Sequence, residues 1–171
     1  MVMKPEDFTE QAQEVLGKSQ EIVRRHQHSQ WDVEHILMAL LEQEEGVPAD
    51  ILREIGASIP AMRANLHDLL EGGPKVAYGS SQIYVSPRAQ RVLQRAKTEA
   101  DRLNDDYVGA EHLLVGVVQD SEGDALKVLT DAGVDLEKVY QALHAVRGSH
   151  RVTDPKAESR YRALERYSVD L

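Results

Sequence analysis

Two Glu-His pairs, Glu34-His35 and Glu111-His112, carry the residue types best suited to chemistry. A carboxylate beside an imidazole can bind a metal ion or move a proton. A zincin helix needs a second histidine four residues after the first, but Ala39 and Gly116 stand there. Adjacent helical residues also point about 100° apart, so one pair cannot easily converge on one ion. A metal-dependent enzyme would need the two pairs to meet across a dyad. The alternative is that His35 and His112 start helices, half-buried and hydrogen-bonded to backbone. His26, His28, His67 and His144 are read in the same way, as structural or solvated. Gly17-Lys18-Ser19 lacks the glycine a P-loop needs five residues earlier, where Ala12 stands. No nucleophile elbow is present, and spacing alone assembles no Ser-His-Asp set. The expectation is a chain with no catalytic residues, no metal and no cofactor.

What remains is polar residues at repeated helix starts. Thr9 and Ser86 are 77 residues apart, as are Glu34 and Glu111. A helix N-terminus offers free N–H groups and partial positive charge, which suits an anion or a carbonyl. A nearby carboxylate suits an amine or a guanidinium. Together they could clamp peptide backbone or a zwitterionic side chain. Alternatively, the hydroxyls only cap and the glutamates only favour the helix dipole.

These pairs belong to an internal duplication. The offset holds without a gap from Ala12, Val15 and Leu16 (matching Ala89, Val92 and Leu93) to Leu66-His67 (matching Leu143-His144). Such a constant register must be read before any local pattern. Thr9 caps a first helix with the stripe Ala12, Val15, Leu16, Ser19, Ile22 and Val23. After a polar loop at 26–30, Asp32 caps a second helix running to about Glu44. Pro48 opens a short third helix ended by Gly56, and Ser58 caps a fourth that stops at Gly72-Gly73. Ser86 and Pro87 then restart the same order. The predicted fold is all-α, eight helices in two copies of a four-helix unit packed as a pseudo-twofold dimer. Repeat one runs over about 8–71, a linker over 72–85, and repeat two over about 86–148. A strand at Gln82 to Val85 has no evident partner. Residues 149–171 lie outside the repeat, with Asp154 and Pro155 starting a helix whose stripe is Tyr161, Leu164, Tyr167 and Leu171. The chain stops there without a terminating signal, as if cut from a longer protein.

Composition narrows the classes. The net charge of -9 argues against nucleic acid, whose binding depends on neutralising phosphates. No apolar run approaches the roughly 20 residues that cross a bilayer. The N-terminus has no signal-peptide core. With no cysteine there are no disulfides or thiolate sites, and a cytoplasmic location is the simple expectation.

The duplicated unit, Phe8-Thr9 opening the first helix, and Tyr107-Val108-Gly109-Ala110-Glu111-His112-Leu113-Leu114 opening the sixth resemble the N-terminal domain of Clp-type AAA+ chaperones. The resemblance covers residues 6–148, and the tail from Asp154 to Leu171 is similar to the connector leading to the first ATPase module. It implies a module that neither binds nor hydrolyses ATP and captures substrates for a hexameric ring, itself a monomer when isolated. In ClpB-like members the partners are unfolded or aggregated proteins, and the polar positions tied to that role fall on Thr9, Asp105 and Glu111. In ClpC-like members the partners are adaptors and, in some, arginine-phosphorylated proteins. Those sites would fall on Thr9 with Glu34 and on Ser86 with Glu111. ClpC repeats read Ile-Gly-Thr-Glu-His, whereas this chain has Trp31-Asp32-Val33 before Glu34 and Ala110 before Glu111. Asp32 would set a negative charge near a phosphate in the first site. The main expectation is a substrate- or adaptor-binding domain of a Clp chaperone. A free-standing regulator of Clp fold that binds a Clp ring or protease is the alternative.

Overall fold

Five helices begin in the same way, with a short polar side chain accepting a first-turn N–H. Thr9 accepts from Ala12 at 3.1 Å, Asp32 from Val33 at 2.8 Å, Ser58 from Ala61 at 3.3 Å, Ser86 from Ala89 at 3.0 Å and Asp135 from Lys138 at 2.9 Å. Each bond satisfies a donor that the helix cannot pair internally. The structure, a computed structural model, describes residues 4–76, 83–120, 122–148, 150–153 and 155–156. Among these, the helices are α1 (Glu10–Arg25), α2 (Val33–Glu42), α3 (Val47–Ile55), α4 (Ile59–Glu71), α5 (Pro87–Arg102), α6 (Ala110–Gln119), α7 (Gly123–Asp131) and α8 (Leu136–Arg147). The expected eight helices in two copies of four are present.

Packing follows from which faces are apolar. α1 and α5 bury single stripes, and each lies against the next helix of its own copy, α2 or α6. α2 and α6 are buried on all sides, Val33 to Leu41 and Ala110 to Val117, as central helices must be. They meet each other at the pseudo-dyad. The third and fourth helices pack across it, α3 on α8 and α4 on α7, so each copy completes the core of the other.

The stretch read as loop at 26–30 ends in a short strand, β1 (Gln30–Trp31), which pairs in parallel with β2 (Tyr84–Val85). The predicted strand near Val85 thus has its partner in the other copy. Phe8 and Val108 form the equivalent bridge. Thr9 N–H donates to the Val108 carbonyl at 2.9 Å, and Ser86 N–H to that of Trp31 at 3.0 Å. The segment before each first helix is therefore bonded to the segment before the other copy's second helix.

The tail is held against the fold where it is described. Val152 is buried, its carbonyl accepts the Asp106 N–H at 2.7 Å, and Pro155-Lys156 lie in a turn. Asp154 and the stripe from Tyr161 to Leu171 lie outside the described residues.

Gly116 occupies the position of Ala39 in the first copy, and a Cβ there would lie 2.7 Å from the Val92 carbonyl oxygen of α5. Alanine in a helix is normally favoured over glycine by about 1 kcal/mol. Here the contact is backbone of a packed helix, so the sign reverses. We expect Gly116→Ala to cost about 1–3 kcal/mol and lower the melting temperature. A rise in melting temperature would show that α5 and α6 can move apart freely.

Candidate functional site

His35 and His112 are the third residues of α2 and α6, and each ring turns back on its own helix start. Nδ1 of His35 accepts the Asp32 N–H at 2.9 Å, and Nδ1 of His112 accepts the Gly109 N–H at 2.7 Å. These backbone donors assign the proton to Nε2 in both rings. Nε2 of His35 then donates to Nδ1 of His28 at 2.8 Å, and His28 donates onward to the Leu70 carbonyl at 3.1 Å. Nε2 of His112 donates to Oδ2 of Asp105 at 2.7 Å. Residues 28 and 105 are repeat partners, so the duplicated histidine meets a neutral ring in one copy and a carboxylate in the other. The helix-start reading of both histidines holds, although both rings are fully buried instead of half-buried.

Asp105 is the centre of the second network. Its oxygens also accept from the Val152 N–H at 2.8 Å and from Arg147, the last residue of α8. Arg147 lies 3.7 Å from Glu111 as well, and donates to the His150 carbonyl at 2.7 Å. Burial pushes the Asp105 carboxyl up, but hydrogen bonds from His112, Arg147 and Val152 outweigh it and hold its pKa below the ordinary value.

Around Glu34 the counterion is Arg88, in the first turn of α5. Its guanidinium donates to both Glu34 oxygens at 3.3 and 3.1 Å, to Asp120 at 2.6 Å and to the Glu122 carbonyl at 2.8 Å. Asp32 stands 3.6 Å away. Burial opposes the charge, yet the bonds to Asp120 and Glu34 prevail and keep the guanidinium ionised. Glu34 also accepts the Ala125 N–H of α7 at 3.0 Å, a carboxylate at a helix start. The equivalent of Ala125 is Pro48, which has no N–H to give Glu111.

The five candidate residues are thus grouped across the dyad. Ser86 donates to Asp32 at 2.7 Å and neighbours the Arg88–Glu34 pair, while Thr9 is bonded to Val108, just ahead of Glu111. The expected pairing of Thr9 with Glu34 and Ser86 with Glu111 is corrected, because strand pairing exchanges the helix starts between copies. Thr9, Glu34, Ser86, Asp105 and Glu111 are all buried, at 8% exposure or less. The α1 start is further closed by the tail, since the Glu10 N–H donates to the Pro155 carbonyl at 3.0 Å. Arg88, Arg147 and His28 were missed as members of these networks. His28 could have been found by applying the 77-residue offset to Asp105.

Several open clefts mark the surface of the described residues, some beside the networks and some apart from them. One of ≈280 Å³ is lined by His28, Asp32, Glu34, Leu69, Leu70 and Asp124, among others. A larger one of ≈590 Å³ lies between the end of α2, the end of α3 and the start of α4, with Leu41, Ile59, Arg53 and Arg63 on its walls. No described helix is long and apolar enough to cross a membrane.

The Clp repeat N-terminal domain family matches residues 7–132. This chain belongs to that family. It is 37% identical over 167 residues to chaperone protein ClpB 1 of Synechocystis sp., covering 98% of this chain and 18% of that protein. It is 36% identical over 171 residues to ClpB of Rhodopirellula baltica, covering 100% of this chain and 19% of that protein. The chain therefore spans about a fifth of the length of these relatives. In fold it is similar to the Hsp104 N-terminal domain of Candida albicans, with a TM-score of 0.79, 21% identity and coverage of 90% and 99% of the two chains. The N-domain of ClpV from Vibrio cholerae gives a TM-score of 0.68 at 14% identity, over 81% and 84%.

Two outcomes test the networks. Asp105→Ala removes the acceptor of His112, Arg147 and Val152 and leaves a buried guanidinium without its main partner, so we expect a loss of about 3–5 kcal/mol. His28→Ala, which breaks only neutral bonds, should cost about 1–3 kcal/mol by denaturant unfolding. Equal losses would show that the charge at Asp105 adds nothing.

The second outcome concerns pH. Burial, then the neighbouring His28, lowers the His35 pKa from 6.5 to about 4, with Asp32 pulling the other way and His26 adding to the decrease. Between those values the unfolded chain binds the proton and the folded one does not, so stability falls as pH drops from 6.5 towards 4. We expect His35 to account for about 3 kcal/mol of that loss, and His35→Gln to flatten the profile of unfolding free energy against pH. An unchanged slope in the variant would assign the loss to other groups.

Proposed function

We propose that this chain is the substrate- and adaptor-binding domain of a Clp-type protein-unfolding chaperone, capturing unfolded or aggregated polypeptides for an ATPase ring. The family match over residues 7–132 carries this reading. On this reading residues 1–148 bind and 149–171 lead to the ATPase modules of a cytoplasmic, hexameric parent. The module itself is monomeric, does no catalysis and uses no cofactor. Nucleic acid and membranes are not its partners.

Capture uses the open clefts. The one beside Glu34 sets Leu69 and Leu70 next to Asp32, Glu34 and Asp124, which suits an extended segment with an apolar residue beside a basic one. Glu34 edges that cleft, while Thr9, Ser86, Asp105 and Glu111 act from behind by fixing the helix starts. Arg88 already fills the guanidinium position among the carboxylates of Asp32, Glu34 and Asp120. A phosphoarginine would have to evict it and bring its phosphate up to those acids. Apolar capture is therefore favoured over phosphoarginine recognition. Affinity in the isolated module is weak, and avidity in the ring supplies the rest.

The test is fluorescence anisotropy of labelled unfolded casein titrated with the domain, with free phosphoarginine as competitor. We expect binding that phosphoarginine does not displace and that Leu69→Asp weakens. Displacement by phosphoarginine would move recognition to the helix starts. No binding even at high concentration would remove direct substrate capture and leave adaptor docking.

A further inference from the structure

The first copy carries a polar cluster that its twin lacks. His26, His67 and Glu71 each place one donor atom within 4.8 Å of the others. His67 and Glu71 stand four residues apart on one face of α4. His26 ends α1 and brings its ring in from a second element. That ring is 1% exposed, with Nδ1 2.6 Å from the Glu71 carboxylate. Its Nε2 has no hydrogen-bond partner among the described residues.

The repeat shows that the fold does not ask for these residues. Their counterparts are Leu103, His144 and Gly148, and Leu103 packs against the core. A hydrocarbon serves at this position, whereas a buried imidazole with an unpaired nitrogen is costly. His28 cannot relieve it. Its ring centroid lies 5.7 Å from that of His26, and both of its nitrogens are committed to His35 and Leu70.

We propose that His26, His67 and Glu71 form a binding site for a divalent transition cation of the zinc class. Two imidazoles and a carboxylate are a donor set such ions favour, and three protein ligands leave a fourth position for water. Burial lowers the His26 pKa against the opposing pull of Glu71, which favours the form that has a lone pair to offer. Lys75, now 3.2 Å from Glu71, is the cation that the ion replaces. His67 and Glu71 are about half exposed, so the ion enters from solvent. Bound there, it ties the end of α1 to the end of α4. The site is independent of the proposed function, since no cleft residue contributes a ligand.

The test uses untagged protein, with zinc titrated by calorimetry and cobalt(II) followed by visible absorption. We expect one equivalent to bind, with the absorption of a four-coordinate cobalt centre and a higher melting temperature. His67→Ala alters an exposed ring and should leave folding intact while weakening affinity at least about tenfold. His144→Ala, the same residue in the second copy, should bind as the unaltered protein does. Failure of the unaltered protein to bind zinc, or binding that survives His67→Ala, would overturn the site.

Discussion

Two backbone hydrogen bonds determine how this molecule is put together. Thr9 donates to Val108 and Ser86 to Trp31, each across the boundary between copies. A segment paired in this way cannot be detached from the other copy without exposing an unpaired N–H. The exchange of α3 with α8 and of α4 with α7 has the same sense. Neither four-helix unit has a complete core alone, and the duplication is structurally obligate.

The crossing also places charge. It brings the first turn of α5, with Arg88, to the acidic start of α2, and it brings Thr9 to the start of α6. Buried carboxylates follow, and each obtains compensation by different means. Glu34 has Arg88 and a helix N-terminus, while Glu111 and Asp105 share Arg147. Polar residues that looked like receptors thus serve as internal joints, with open clefts beside them.

Much of the architecture was legible because the duplication repeats every local signal. Helix starts at Thr9, Asp32, Ser58 and Ser86 could be read from residue type and spacing, and the stripes of α1 and α5 from periodicity. What could not be read is which copy completes which site. An offset of 77 residues relates equivalent positions and says nothing of contact, so Glu34 was grouped with Thr9 when strand exchange puts it beside Ser86. Arg88 was passed over because one arginine among 20 basic residues carries no local mark of burial. The His26 cluster escaped for a similar reason, since two of its members lie 41 and 45 positions from His26 in sequence and meet it only through the tertiary fold.

The tail is held at two places that belong to different parts of the fold. Val152 is bonded to Asp105 and Asp106 at the end of α5, and Pro155 to the opening turn of α1. Tension applied along the chain beyond Lys156 would reach Pro155 first and load the N-terminal helix before the final one. The fold would then feel a pull as a shear between its halves, with the strand bridges as the rungs that resist it.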